Sequence, residues 1–344
     1  MSKKGGRRNR EETTSARPGE SELIARYFAP LATAPGARKL IDDAASLGLE
    51  PGRELVVTVD MVVAGVHFLS TDPPATVARK ALRVNLSDLA AKAAAPVGYL
   101  LALALPGDWT ETWLAEFSAA LADEQMRFGL SLYGGDTVRS AGALSLSVTA
   151  FGTVEQGRML RRDAAQAEGR VLVSGTVGDA ALGLKLALGQ ADAAKWGLSR
   201  EEEAFLRDRY ACPRPRLGLV EALRRHAAAA MDVSDGLVGD LEKMCAASGV
   251  SARIEVSRLP LSSAARKALA ADPGLVEAIL GGGDDYEILA CVPAAQADVY
   301  RAAAREAGIE VADIGVFAPA GHGVSVVGAD GAPVKLSRPS YSHF

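Results

Sequence analysis

Ala229-Ala230-Met231-Asp232-Val233-Ser234-Asp235-Gly236-Leu237 is the stretch from which the rest of the chain can be read. A short apolar run ends in two aspartates flanking a serine, a glycine permits a sharp turn, and an apolar-periodic segment continues to Ser248, which predicts strand, tight turn and helix. Asp235 alone reads equally as the cap of that helix. Capping leaves Asp232 unexplained, and a carboxylate beside a hydrophobic core is costly unless something cationic neutralises it. The pair therefore reads as ligands to a cation.

The same device recurs outward in both directions. Apolar runs meet carboxylates set among small residues at Ile41-Asp42-Asp43-Ala44-Ala45, Val57-Thr58-Val59-Asp60, Asn85-Leu86-Ser87-Asp88, Gly134-Gly135-Asp136-Thr137 and Gly283-Asp284-Asp285-Tyr286-Glu287. Mg²⁺ prefers hard oxygen ligands and keeps waters and substrate phosphates in its shell, so the repeated pattern points to a magnesium-dependent phosphate enzyme.

Between these sites helices alternate with strands, which gives an α/β or α+β class. Helical spacing covers Ser21 to Phe28. Leu55 to Val63 reads as a strand covered on both faces. Pro73 and Pro74 open a helix running to about Ala95. Tyr99 to Leu105 is a strand, Trp109 to Phe128 a helix, and Leu130 to Tyr133 and Ala143 to Val154 further strands. The polar stretch from Gln156 to Gly169 marks a boundary between residues 18–157 and 158–344. Beyond it come a strand at Val171 to Ser174, a glycine turn, a helix at Ala180 to Leu188, and strands at Ile254, Ile288 and Val311 to Val316. Lys195 to Arg216 is charged and proline-bearing and reads as a surface excursion. A chain of 344 residues with 49% hydrophobic content can fill two cores.

Composition excludes several classes. A formal net charge of −4 gives no general attraction to nucleic acid or anionic membrane. No apolar stretch reaches the roughly 18–20 residues of a membrane span. Met1 to Arg17 is basic and polar without the apolar centre of a secretory signal, and reads as a disordered tail rather than a nucleic-acid arm. Cys212, Cys245 and Cys291 form no CxxC pair, which argues against zinc and a disulfide framework and fits a reducing cytoplasm. Cys245 and Cys291 sit in apolar patterns and read as core.

Each candidate has a plain alternative. Asp60 ends a strand, where a cap or turn role is common; Thr58 shares its face, and Asp42-Asp43 adds a repelling pair. Asp88 either pairs with Lys92 at i,i+4 or faces inward as a ligand. Arg79, Lys80 and Arg83 either meet phosphates or line the surface. Gly134-Gly135-Asp136-Thr137 reads as a hairpin turn or as a loop whose backbone approaches an anion. Ser174-Gly175-Thr176-Val177-Gly178-Asp179 is a strand-to-helix turn that either caps a helix or receives a phosphate at its N-terminus.

Taken in order, these segments resemble the thiamine-monophosphate kinases, within the superfamily of AIR synthetase, selenophosphate synthetase and HypE. The matching stretches also include Gly65-Val66-His67-Phe68, Arg158 to Ala165, Gly282 to Leu289 and the closing Tyr341-Ser342-His343-Phe344, with coverage from about Glu20 onward. The resemblance implies a two-domain AIR-synthetase-like architecture, with an N-terminal mixed sheet and a C-terminal α/β domain. It also implies a homodimer paired through N-terminal strands, and Mg²⁺- and ATP-dependent phosphorylation of thiamine monophosphate to thiamine diphosphate. By matched position, Asp43, Thr58, Val59 (through its carbonyl), Asp60, Asp88, Asp136, Asp232 and Asp235 resemble the magnesium shell. Gly135, Asp136, Arg162 and Ser234 resemble nucleotide contacts, and His67, Glu287 and Tyr341 resemble substrate contacts. Phosphoryl transfer to a phosphate acceptor needs positioning and charge neutralisation more than a base, so no general base is assigned.

There are departures from the pattern. Val59 replaces a hydroxyl residue, Lys92-Ala93 a Met-Gly pair, Ile41 a Gly and Asp284 a Glu, and Ser118 and its neighbours lack the Tyr expected near adenine. No Cys precedes Cys212, as a selenophosphate synthetase would want, and the chain does not end in the Cys of HypE. AIR synthetase activity and a non-catalytic nucleotide-binding regulator are the remaining alternatives. An assay with each acceptor separates the first from the kinase, and Asp232→Asn the second.

Overall fold

The apolar runs assemble into two sheets in a computed structural model that describes residues 18–321, 323–328 and 330–341. The tail Met1–Arg17 and the closing Ser342, His343 and Phe344 lie outside the described residues. The first sheet joins β1 (Arg53–Val63), β2 (Ala95–Leu105), β3 (Ser131–Arg139) and β4 (Ser145–Glu155) in the order β1-β4-β2-β3. The second joins β5 (Arg170–Ser174), β6 (Ala229–Asp232), β7 (Ser251–Glu255), β8 (Ile288–Val292), β9 (Val311–Ala318) and β10 (Val324–Val327) in the order β10-β7-β9-β5-β8-β6. Helices α1 (Glu20–Leu23), α2 (Pro74–Ala91) and α3 (Glu111–Phe128) accompany the first sheet. Helices α4 (Asp179–Ala187), α5 (Arg200–Ala211), α6 (Val220–His226), α7 (Leu237–Ser248), α8 (Ser263–Ala271), α9 (Val276–Gly281) and α10 (Ala297–Glu306) accompany the second.

Helix α2 is the element that positions the site. Pro74 at its first turn presets the helical φ where no N–H is needed. Leu82, Leu86 and Leu89 are fully buried against the first sheet, each contributing about 1.5–3 kcal/mol by removal from water. At its far end Ala90, Ala91 and Ala93 pack instead with Leu172, Ala230 and Ile288 of the second sheet. One helix thus spans both halves, and Asp88 stands where they meet.

Three expectations need correction. β1 is covered on one face only: Val56 and Val62 are buried, while Leu55, Val57, Val59 and Met61 are exposed. The reason is that the first sheet is largely antiparallel with its helices on one side, and such sheets leave a face open. Gly134 to Thr137 is not a turn; it continues β3, paired in parallel with Leu100 to Leu103 of β2. The segment Lys195 to Arg216 is not a surface excursion, because it contains α5, which buries Leu206, Arg209 and Tyr210. β10, too short to announce itself, was missed. Cys245 and Cys291 are buried, as their apolar context predicts.

Candidate active site

Strand alternation turns Thr58 and Asp60 of β1 toward α2. The Thr58 hydroxyl donates to the Asp88 carboxylate, and the Asp60 N–H donates to Asn85 Oδ1 at 3.0 Å. Asn85 is fixed in turn by donating to Ala81 O at 3.0 Å. Asp88 is therefore tied to β1, and Lys92 donates elsewhere, to Ala230 O at 2.9 Å.

The other half brings its own carboxylates to the same seam. β6 ends at Asp232, and the following turn lies beside residues 283–287: Val233 N–H donates to Glu287 O at 2.8 Å, Tyr286 N–H to Val233 O at 2.8 Å, and Asp284 N–H to Ser234 O at 2.9 Å. The turn is shaped by Asp240, fully buried in the first turn of α7. Its Oδ2 accepts the N–H groups of Ser234 at 3.0 Å, Asp235 at 2.9 Å and Gly236 at 3.2 Å. Gly236 has φ 129°, and a Cβ there would stand 2.7 Å from the backbone of Gly281, so only glycine fits. Lys243 donates to Asp235 Oδ2 at 2.5 Å and Asp240 Oδ1 at 2.8 Å.

The electrostatics record how tightly these groups meet. Burial, with Asp88 and then Asp235 adding repulsion, pushes the Asp60 carboxyl up to about 6. Asp232 is driven well above the ordinary carboxylate range, first by burial, then by Asp88, with Asp240 and Asp60 adding to it. Tyr286 is raised likewise, by burial and then by Asp284, Asp60, Asp232 and Asp235. Burial also lowers the Lys92 ammonium, against the pull of Asp232 and Asp88. Four carboxylates from two halves thus crowd one seam with too little positive charge. That is the chemistry of a donor set for hard divalent cations. Among the described residues no three of His, Cys, Asp and Glu form a ready metal cage. Mg²⁺ does not need one, since it takes one or two carboxylates and completes its shell with water and phosphate.

The remaining expected residues divide. Asp43 and Asp136 do not reach the seam. They line a cavity of about 720 Å³ together with Gly135, Ala44, Ser147 and Thr149. Asp136 is registered against Ala102, Ala102 against Ser147, and Ser147 against Met61, so Asp136 shares the open face of the sheet, opposite Asp60. Val59, partnered with Thr149, has its side chain on that open face too. One chain alone does not gather all the acids into one pocket. A Cβ on Gly135 would lie 1.9 Å from Leu101 O, so strand packing already requires a glycine there.

Arg162 is exposed beside the seam, close enough to oppose the charge of Lys92, and Ser234 sits in the turn itself. Tyr341 N–H donates to Asp235 O at 2.9 Å, which brings the C-terminal segment to the acids. His67 Nδ1 accepts the Val63 N–H at 3.1 Å, which leaves the ring proton on Nε2. Glu287 is corrected: it is fully buried and both oxygens are taken. Oε2 accepts Ser174 Oγ at 2.6 Å and Arg216 Nε at 2.6 Å, while Oε1 accepts Arg209 Nη2 at 2.9 Å and the second arginine's Nη2. It holds the interior together rather than meeting a ligand. The turn at Ser174 to Asp179 is likewise filled from within, since Asp285 accepts the N–H groups of Gly178 at 2.6 Å and Ala180 at 3.2 Å.

Asp240, Arg209 and Arg216 were missed. Asp240 left a trace, an acid in the first turn after Asp-Gly, whereas the arginines left none in a stretch that reads as solvated.

The fold and sequence are shared with known proteins. The AIR synthase related protein N-terminal domain matches residues 41–154 and the C-terminal domain residues 166–328. The thiamine-monophosphate kinase of Caulobacter vibrioides is 44% identical over 94% of this chain and 91% of its own length. That of Escherichia coli K12 is 38% identical over 95% and 98%. The crystal structure of the Stenotrophomonas maltophilia thiamine-monophosphate kinase superposes with a TM-score of 0.77 at 40% identity, covering 86% of this chain and 91% of that one. The structure of AaThiL complexed with AMPPCP and TMP superposes with 0.73 at 30% identity, covering 88% and 91%. HypE in complex with ATP shares the fold, with 0.74 at 19% identity. The chain belongs to the thiamine-monophosphate kinases of the AIR synthase related family.

Proposed function

We propose that the acidic seam transfers the γ-phosphoryl group of ATP to the phosphate of thiamine monophosphate, giving ADP and thiamine diphosphate. The observation that carries this is the meeting of Asp60, Asp88, Asp232 and Asp235 from both halves of a chain 44% identical to a thiamine-monophosphate kinase across 94% of its length. A relative at 30% identity binds AMPPCP and TMP together, the pairing such a transfer requires.

Mg²⁺, when bound, supplies charge neutralisation at the phosphates. Asp60, Asp88, Asp232 and Asp235 are its proposed holders at the seam, with Thr58 and the Val59 carbonyl. Asp43 and Asp136 are proposed to do the same work in the adjoining cavity, with Gly135 beside the nucleotide. The residues' own part is placement. Asn85 and Asp240 fix the strand and turn that carry the acids, Arg162 and Ser234 are proposed to steady the nucleotide, and His67 and Tyr341 the acceptor. A phosphate acceptor is already a nucleophile, so orientation supplies most of the protein's contribution.

In this reading residues 18–157 carry the pairing surface and most of the metal and nucleotide contacts, and residues 158–344 bring Asp232 and Asp235 from the opposite wall. A homodimer is supported by the exposed apolar face of β1. A cytoplasmic home is supported by three free cysteines. Among the described residues no helix is long and apolar enough to cross a membrane. The test is purified protein with ATP, Mg²⁺ and thiamine monophosphate. Thiamine diphosphate is expected, abolished by chelator and by Asp232→Asn at unchanged melting temperature; an absence of product from the unmodified protein overturns the reading.

A further inference from the structure

Lys80 projects from α2 toward residues 283–287 with only 1% of its side chain exposed. Its ammonium donates to Asp284 Oδ2 at 3.3 Å and stands 3.9 Å from the centroid of the Tyr210 ring. An ammonium carries three donors. Among the described residues one of the three is met, by a long bond, and an aromatic face takes a second side. A charge this deeply buried is ordinarily paired and fully hydrogen-bonded.

Arg83 on the same helix obeys that rule: it forks onto Glu124 at 2.6 and 2.7 Å and also donates to Pro213 O at 3.1 Å. Lys80 lacks such a set of partners.

Its one carboxylate partner is itself unusual. Asp284 has φ 72°, in the left-handed region that a non-glycine residue seldom occupies, and its side chain is one-quarter exposed. Strain of this kind collects where a ligand is clamped. The position is also tied to His67, a proposed acceptor contact: the Tyr210 hydroxyl donates to His67 O at 3.4 Å. Tyr286, two residues from Asp284, feels that carboxylate together with Asp60, Asp232 and Asp235, so Lys80 and the acids serve one space.

We propose that Lys80 binds the monophosphate group of the acceptor, and that Asp284 holds the ammonium at the place a phosphate oxygen takes over. A phosphate offers three strong acceptor oxygens to the unmet donors, and a lysine binds it as a compact point charge. The acids of the seam repel an anion, so a buried cation at its edge gives the acceptor a reason to enter. This rests on the reading of the chain as a thiamine-monophosphate kinase and assigns that reaction a further substrate-binding residue.

The test uses the full chain with three variants. Lys80→Met is expected to raise the KM for thiamine monophosphate about 10- to 100-fold, the loss of one charged hydrogen-bonded contact, with the KM for ATP nearly unmoved. Calorimetry with thiamine monophosphate and with unphosphorylated thiamine is expected to show the preference for the phosphate collapsing in that variant. Lys80→Arg restores part of it. Asp284→Asn removes the competing carboxylate and is expected to lower the same KM. If Asp284→Asn raises that KM as Lys80→Met does, the pair is a tie between the halves and the proposal fails. It fails too if Lys80→Met moves only kcat. Should Lys80→Met not fold, the Asp284→Asn result decides alone. Lack of product from the unmodified chain would strike the kinase reading instead.

Discussion

At the scale of single residues, Glu287 shows how burial changes a role. It anchors two arginines and a serine with no face left for solvent. Glu287→Ala strands Arg209 as a buried uncompensated charge, which costs about 3–5 kcal/mol. Urea denaturation is expected to show that loss. A variant of unchanged stability and altered KM would restore Glu287 to the substrate. The sequence places Glu287 in an acidic motif, but nothing in it announces that Arg209 and Arg216 arrive from a stretch that reads as solvated. Asp285, two residues earlier, gives a pH signature. Burial pushes it up to about 8, against the N–H groups of Gly178 and Ala180 and the charge of Arg209. Its folded value lies above the unfolded one, so the folded protein holds a proton the unfolded chain releases. Stability from this group is full below the ordinary carboxylate range and is lost as pH rises toward 8. Asp285→Asn is expected to flatten the stability difference between pH 5 and pH 8; an undiminished slope contradicts it.

At the scale of elements, the strand, turn and helix around Asp232 were legible because each step has a local cause. An apolar run makes β6, Gly236 makes the turn, and apolar periodicity makes α7. What holds the turn was less visible: three backbone N–H groups gather on one buried carboxylate four residues beyond the glycine. Asp240→Ala leaves those donors unmet, with a cost of about 1–3 kcal/mol. It is also expected to lower kcat at least tenfold, because Asp232, Ser234 and Asp235 lose their common frame; thermal melting and steady-state kinetics on one preparation check both. Full activity at reduced stability would show that the turn needs no such frame. β3 is opaque in the sequence for the opposite reason. Its glycines resemble a turn, yet Gly135 is required by the Leu101 carbonyl of the neighbouring strand, and such a requirement exists only once the strands have paired.

At the scale of the whole molecule, the open face of the first sheet is the feature one chain leaves unfinished. Leu55, Val57, Val59 and Met61 project from β1 and are exposed, with Val57 at 56% and Val59 at 61%, and Leu100 and Val138 extend the patch across β2 and β3. β1 is also an edge strand, with β4 as its one neighbour. A broad apolar face on an unprotected edge is the kind of surface that associates, and the proposed homodimer would place a second copy on it about a two-fold axis. The same face borders the cavity that holds Asp43 and Asp136, for Ser147 and Thr149 line that cavity and are registered against Met61 and Val59. Pairing would therefore close the cavity as it covers the patch. Val57→Asp places a charge at the centre of the face without touching the core and is expected to convert a dimer to a monomer in sedimentation. The acidic seam lies on the other face, so folding is expected to persist while the KM for ATP rises with dissociation of the cavity's cover. A monomeric unmodified protein at micromolar concentration, or a monomeric variant with unaltered ATP kinetics, would separate the two faces of the sheet and leave the cavity complete within one chain.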